Sequence, residues 1–383
     1  MKIQPMKLFS LNSIIIISFL LLFSTCDKEE IIINNTTDFE EYIQDEMEIQ
    51  SIPALSVLIF KEDNIIYEDY LGKSNIEQNI SLENDHLFLL ASVSKVITAT
   101  ALLQLNDQDL FDLDDNINDF LPFDVNIPNQ NTAITFRMLL THTSAINDGS
   151  ALDNQYYYGE DSPVQLAYFL ENYLVPGGEF YNAGENFHNF DPGTKHEYSN
   201  IGNALIGLLV QEISGMDFSD YCKQNIFTPL GMTNTYWHLN GISQTIVQPY
   251  DYNFSSKKNE VVQHYTFTDY PNGGLRSTSK DLFKFLSAFV QGGQSNNFQF
   301  LQAETVNAMI TPQIPSIDNE VGLHLFLMNA SNNLWGHDGG ESGVATIMAF
   351  NPTTKIGVII LTNQGEADLD EMLAETYKFG LKL

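Results

Sequence analysis

The 383-residue sequence predicts an α/β fold of the α+β type: a mostly antiparallel sheet flanked by helices, with a mainly helical subdomain inserted. Three observations carry this. Apolar, β-rich runs lie near both ends, at residues 52–60 and 64–70 and again at 323–328, 344–350 and 356–362. The stretch from about 106 to 250 reads instead as helices and long loops. Turn signals stand where a meander needs them: Lys61-Glu62-Asp63 joins the first two runs and Asn351-Pro352-Thr353-Thr354 the last two. A sheet assembled from both ends of the chain, with helices supplied from the middle, satisfies all three.

The elements follow in order. Residues 38–50 have the charge and spacing of a helix, and residues 52–70 form a hairpin. From Ser92 the pattern changes: Val96, Ile97, Ala99, Ala101, Leu102, Leu103 and Leu105 make a helix apolar on nearly all sides, hence buried. A helical subdomain is expected over about 91–260, including an apolar helix at 201–213. Residues 156–190, rich in aromatics and glycine, either line a cleft or cover the subdomain. A last helix fits 367–379, and no internal repeat is found.

The first residues read as an export signal. Lys2 and Lys7 precede an apolar run at 14–23, too short to span a bilayer as a mature helix. The run ends at Phe23-Ser24-Thr25-Cys26, which resembles a bacterial lipobox, although Phe23 stands where leucine is usual. Residues 1–26 are therefore expected to be a lipoprotein signal ending at a lipidated Cys26, residues 27–37 a tether, and residues 38–383 the folded domain in the cell envelope. Ordinary signal-peptidase cleavage, with Cys26 incidental, is the alternative. If Cys26 is acylated, Cys222 has no partner, and an exported fold without a disulfide rests on its core alone. Hydrophobic content of 43% with 12% aromatics supports such a core. A formal charge of −32 excludes nucleic acid as a partner and leaves a lipid anchor as the only route to a membrane.

Chemistry concentrates in three separated motifs. Ser92-Val93-Ser94-Lys95 opens the buried helix. Residues three apart share a helix face, so the Ser92 hydroxyl and Lys95 amine can meet. A lysine drawn into a poorly solvated site loses proton affinity and can act as a base. Two other Ser-x-x-Lys strings, at Ser255 and Ser277, read as a polar turn and a capped helix start. Tyr198-Ser199-Asn200 follows Asp191-Pro192-Gly193 at a helix entrance, where Tyr198 can relay a proton and Asn200 can bond Lys95 and a substrate carbonyl. Tyr270-Pro271-Asn272 repeats the pattern but reads as a turn. His337-Asp338-Gly339-Gly340 lies at a strand edge: Asp338 and Gly339 would border a substrate cleft, and the Gly340 N–H could complete an oxyanion hole with that of Ser92. Each motif alone also has a bland reading, namely an N-cap serine with a snorkelling lysine, a core tyrosine with a capping asparagine, and a turn histidine.

Together, in this order, the motifs resemble the penicillin-recognising serine hydrolases, in the branch of class C β-lactamases, D-Ala-D-Ala carboxypeptidases and related esterases. Leu139-Leu140-Thr141-His142-Thr143-Ser144, Asp191-Pro192-Gly193-Thr194, Pro229-Leu230-Gly231-Met232-Thr233 and Gly273-Gly274-Leu275-Arg276-Ser277-Thr278 extend the likeness over about residues 38–383. The resemblance implies Ser92 as nucleophile, Lys95 as its partner, Tyr198 and Asn200 as the second catalytic element and His337 as the start of the third. It implies no cofactor and no metal, and a small-molecule or peptide substrate. Lys95 and Tyr198 share the acylation-base role at this stage. Many β-lactamases carry lysine where His337 stands, which moves the expectation toward an ester or D-amino-acid peptide. A true β-lactamase and a catalytically inactive surface-binding lipoprotein are the alternatives.

Other classes lack their marks. His196-Glu197 has no second histidine to complete a zinc motif. No Gly-x-Ser-x-Gly elbow is present. The anchor is directly testable: Cys26→Ser is expected to abolish incorporation of labelled palmitate in cells making the full chain, and undiminished labelling would remove it.

Overall fold

The computed structural model describes residues 32–295 and 298–383. The signal segment, Cys26 and tether residues 27–31 lie outside the described residues. Among the described residues no helix is long and apolar enough to cross a membrane.

A seven-stranded antiparallel sheet forms the centre. Helix α1 (Thr36–Ile49) leads into β1 (Ala54–Lys61), β2 (Asn64–Asn75) and the short β3 (Ile80–Ser81). The helical part follows: α2 (Ser94–Asn106), α3 (Phe136–Leu140), α4 (Leu166–Leu174), α5 (Asn200–Ser214) and α6 (Ser279–Val290). The chain then returns through β4 (Phe326–Asn329), β5 (Leu334–Glu341), β6 (Val344–Phe350) and β7 (Ile356–Thr362) to close on α7 (Asp370–Gly380). The spatial order is β4-β5-β6-β7-β1-β2-β3, so β7 from one end pairs with β1 from the other, Val57 opposite Ile360. The sheet is thus built from both ends of the chain, as the apolar runs predicted.

Strand β1 reads as a continuous apolar run rather than an alternation because both of its faces are covered. Leu55, Val57 and Ile59 join α1 and α7 on one side, whereas Ala54, Leu58 and Phe60 join the helical part on the other. Helix α2 is buried all round from Ser94 to Leu105 and packs against α5. Residues 156–190 cover the helical part, with Phe169 and Tyr173 on α4 entering the core, while Tyr156 donates to Glu341 at the end of β5 (3.2 Å). Cys222 is fully buried and unpaired by disulfide.

The outer layer depends on Phe39. Its ring stacks on Phe379 of α7 at 4.2 Å and meets Tyr67 edge-on at 5.2 Å, joining both terminal helices to the sheet. Phe39→Ala is expected to destabilise the fold by about 3–5 kcal/mol, the usual cost of emptying a buried aromatic site. Urea unfolding checks this, and a loss below about 1 kcal/mol would show that the layer closes without it.

Candidate active site

Ser92 lies half-buried in a single 3₁₀ turn, Ala91–Val93, that runs directly into α2. The turn begins with a sharp bend, for Ala91 has φ +47°, in the left-handed region that side chains disfavour. The bend is tied down on both sides. The Leu90 N–H donates to the Leu275 carbonyl (2.8 Å), and the Thr346 hydroxyl of β6 donates to the Leu90 carbonyl (2.7 Å). Strand β5 passes so close that a methyl at Gly339 would sit 3.0 Å from the Ser92 nitrogen and 2.4 Å from the Leu90 oxygen. Only glycine permits that approach. Gly340, next along, faces open space.

Lys95, one turn on, has no exposed surface. Its Nζ lies 3.1 Å from Ser92 Oγ and donates to Asn200 Oδ1 and the Asn272 carbonyl, each at 2.7 Å. Burial pushes its pKa down to about 7, against the opposing pull of Asp148, Asp269, Glu341 and Asp338. A neutral amine has two N–H donors and one lone pair. With both donors engaged by Asn200 and Asn272, the lone pair is left facing Ser92 Oγ.

Tyr198 stands over the same group, its ring centroid 4.9 Å from Lys95 Nζ. Burial raises its phenol well above the usual range, with the Ser92 hydroxyl pulling weakly the other way, so at neutral pH it is a proton donor. Asn200 opens α5, and the position of this helix start is fixed by two caps. Ser199 accepts from the Gly202 N–H (2.9 Å), while Asp148 accepts from the N–H groups of Asn200 (2.9 Å) and Ile201 (3.0 Å).

The structure therefore brings Ser92, Lys95, Tyr198 and Asn200 into one cluster, with Gly339 and Gly340 along its edge. His337 is placed differently. Its ring is 2% exposed, its Nδ1–H donates to the Asp338 carbonyl at 2.5 Å, and burial lowers its pKa to about 4. It is a neutral group beneath the cleft, while Asp338 turns outward with 66% of its side chain exposed.

Several contributors carry no separate sequence signal. Asn272, in the Tyr-x-Asn string that reads as a turn, supplies the carbonyl that holds Lys95. Asp269 fixes that turn by accepting from the Asn272 amide (2.7 Å), and burial lifts its carboxyl to about 7. Asp148 sits in an ordinary polar loop. Only the assembled fold shows what they touch.

A cavity of about 620 Å³ lined by Trp237, Phe267 and Tyr270, among others, touches none of the catalytic candidates. Glu83, Asp85 and His86 bring possible ligand atoms within 4.8 Å of one another, but no contact links them to Ser92.

The family model described as Beta-lactamase matches residues 39–379. Among curated proteins, Beta-lactamase-like protein 4 of Dictyostelium discoideum is 26% identical, covering 87% of this chain and 60% of its own length. Penicillin-binding protein 4* of Bacillus subtilis (strain 168) is 25% identical over 81% of this chain and 68% of its own length. Among solved structures, D-amino acid amidase from Ochrobactrum anthropi SV3, complexed with D-phenylalanine, superposes with a TM-score of 0.69 at 21% identity, covering 90% of this chain and 99% of that one. EstCE1, a hydrolase with promiscuous acyltransferase activity, does so with a TM-score of 0.69 at 16% identity, covering 90% and 96%.

The Lys95 environment makes a pH prediction independent of the natural substrate. Labelling of Ser92 by a fluorophosphonate is expected to speed up as pH rises through about 7, where Lys95 loses its proton, and to level off above. A rate flat from pH 5 to 9 would show that Lys95 does not govern the serine.

Proposed function

Since the chain belongs to the beta-lactamase family and has its serine-hydrolase scaffold, we propose that it cleaves a carboxylic ester or a D-amino-acid amide through a covalent acyl-enzyme on Ser92. One observation carries this reading: a fully buried lysine, its donors satisfied, 3.1 Å from the Ser92 hydroxyl.

Ser92 Oγ attacks the substrate carbonyl as its proton passes to Lys95 Nζ. The N–H groups of Ser92 and Gly340 receive the developing oxyanion, each such donor being worth about 10²–10³ in rate. Tyr198 protonates the departing alkoxide or amine and is reprotonated from Lys95. Asn200 keeps Lys95 oriented and can donate its amide N–H to the substrate acyl group. Water then attacks the acyl-enzyme, giving up a proton to the same pair, and Ser92 recovers its proton as the acid leaves.

What supports an ester or amide over a β-lactam is the third motif. A carboxylate-bearing β-lactam profits from a fixed cation on the strand beside the serine. Here His337 is neutral and turned into the protein, and the exposed side chain beside it is Asp338.

Turnover of p-nitrophenyl acyl esters, D-amino-acid amides, D-Ala-D-Ala peptides and nitrocefin by the purified domain tests the reading. Activity toward the first two classes is expected, and Ser92→Ala is expected to abolish it and the fluorophosphonate adduct with folding intact. Turnover undiminished in Ser92→Ala would reject the nucleophile, and efficient hydrolysis of nitrocefin alone would reject the substrate class.

A further inference from the structure

Behind the catalytic cluster lies a layer of imidazoles that the proposed chemistry does not use. Four of the eight histidines take part: His142, His196, His324 and His337. His142 is central. Its ring is 1% exposed and lies between two others, stacked on Tyr198 at 4.4 Å (29° between planes) and on His324 at 4.6 Å (19°).

His142 also grips the backbone on both sides of that tyrosine. Its carbonyl accepts from the Glu197 N–H (2.8 Å), and its Nδ1 accepts from the Ser199 N–H (3.2 Å). A backbone N–H can only donate, so Nδ1 is unprotonated and the ring proton is on Nε2, which is buried without a partner. His142 reaches this position with φ +51°, a left-handed conformation unfavourable for a residue with a side chain. The next ring is fixed in turn: His324 Nδ1–H donates to the Leu140 carbonyl (3.0 Å) and its Nε2 accepts from the Asn203 amide (2.6 Å). Burial, together with neighbouring His324 and Lys95, holds His142 neutral well below its ordinary range.

Tyr198 needs such a wall. Its phenol oxygen is buried beside Ser92 while 39% of the residue is exposed, so a rotamer change toward solvent would carry the hydroxyl away from the serine. An orphaned buried polar atom and a left-handed backbone are both unfavourable, and neither is needed simply to fill space.

We infer that His142 is a positioning residue for the proton relay: its neutral ring and Nδ1 acceptor hold Tyr198 in register with Ser92 and Lys95. This rests on the relay role proposed for Tyr198, and the test separates the two. His142→Asn keeps an acceptor near the Nδ1 position but deletes the ring. It is expected to lower kcat by about tenfold, within the range that sub-ångström to 1 Å misplacement produces, while KM changes less than about twofold. In a Tyr198→Phe background, already slowed by about 10²–10⁴, the same substitution should cost less than about twofold, because the group it positions is gone. His142→Phe, which restores a ring wall but not the Nδ1 acceptor for the Ser199 N–H, should recover only part of the loss.

Equal losses in both backgrounds would overturn the inference, since a general structural defect would not depend on the phenol. Wild-type kcat in His142→Asn would overturn it as well. If His142→Asn fails to fold, as judged by urea unfolding, His142→Phe is compared in the same two backgrounds, where a loss confined to the Tyr198 protein supports positioning and equal or absent losses reject it. Unchanged kcat in Tyr198→Phe alone would reject the relay role itself, and with it any residue argued to serve that role.

Discussion

A lysine sealed from water is the constraint around which this molecule is organised. Lys95 has no solvent to hydrate its charge, so the fold must either supply partners or let the proton go. It does both in measured degree: two carbonyl-type acceptors hold the amine in place, while four carboxylates act from further away. The balance leaves proton affinity near neutrality. Had burial acted without the acids, the amine would be too weak a base; with a direct carboxylate contact it would stay charged. The distance between those outcomes is set by packing around α2, which explains why that helix is apolar on every side.

The groups meeting at Lys95 come from four separate parts of the chain. Ser92 and Lys95 enter on the 3₁₀ turn and α2, Tyr198 and Asn200 at the start of α5, Asn272 from the turn before α6, and Gly339–Gly340 along β5. None of these segments could hold its group alone. The sheet, closed by pairing of β7 with β1, brings β5 against the Ser92 turn, and the Thr346–Leu90 hydrogen bond fastens the two. The bends at Ala91 and His142 are local conformational costs that this packing offsets. Catalytic geometry is therefore a property of the assembled layers, and damage to a distant layer would reach it through the sheet.

Residue patterns made much of this legible. Continuous apolar runs marked β6 and β7 at the same limits the structure shows, because strands buried on both faces leave no polar interruption to blur them. The α2 helix was equally plain, since an all-apolar helical period has few other meanings. Spacing alone could place Lys95 beside Ser92, three residues apart on one face. It also separated Tyr198-Ser199-Asn200, at a helix entrance, from the turn at Tyr270-Pro271-Asn272, but gave no sign that the carbonyl of that turn would hold Lys95. The orientation of His337 was likewise hidden: alternation along a strand says that neighbouring side chains oppose each other, not which of them faces the cleft.

Sequence by itself determined the architecture and the placing of Ser92 and Lys95 on one helix face, because each is written in local spacing or in hydrophobic period. Tertiary structure alone decided the lowered proton affinity of Lys95, the inward turn of His337 and the contacts made by Asp148, Asp269, Asn272 and His142. Those depend on desolvation and on contacts between residues far apart in the chain. Neither has any expression in the order of residues until the chain is packed.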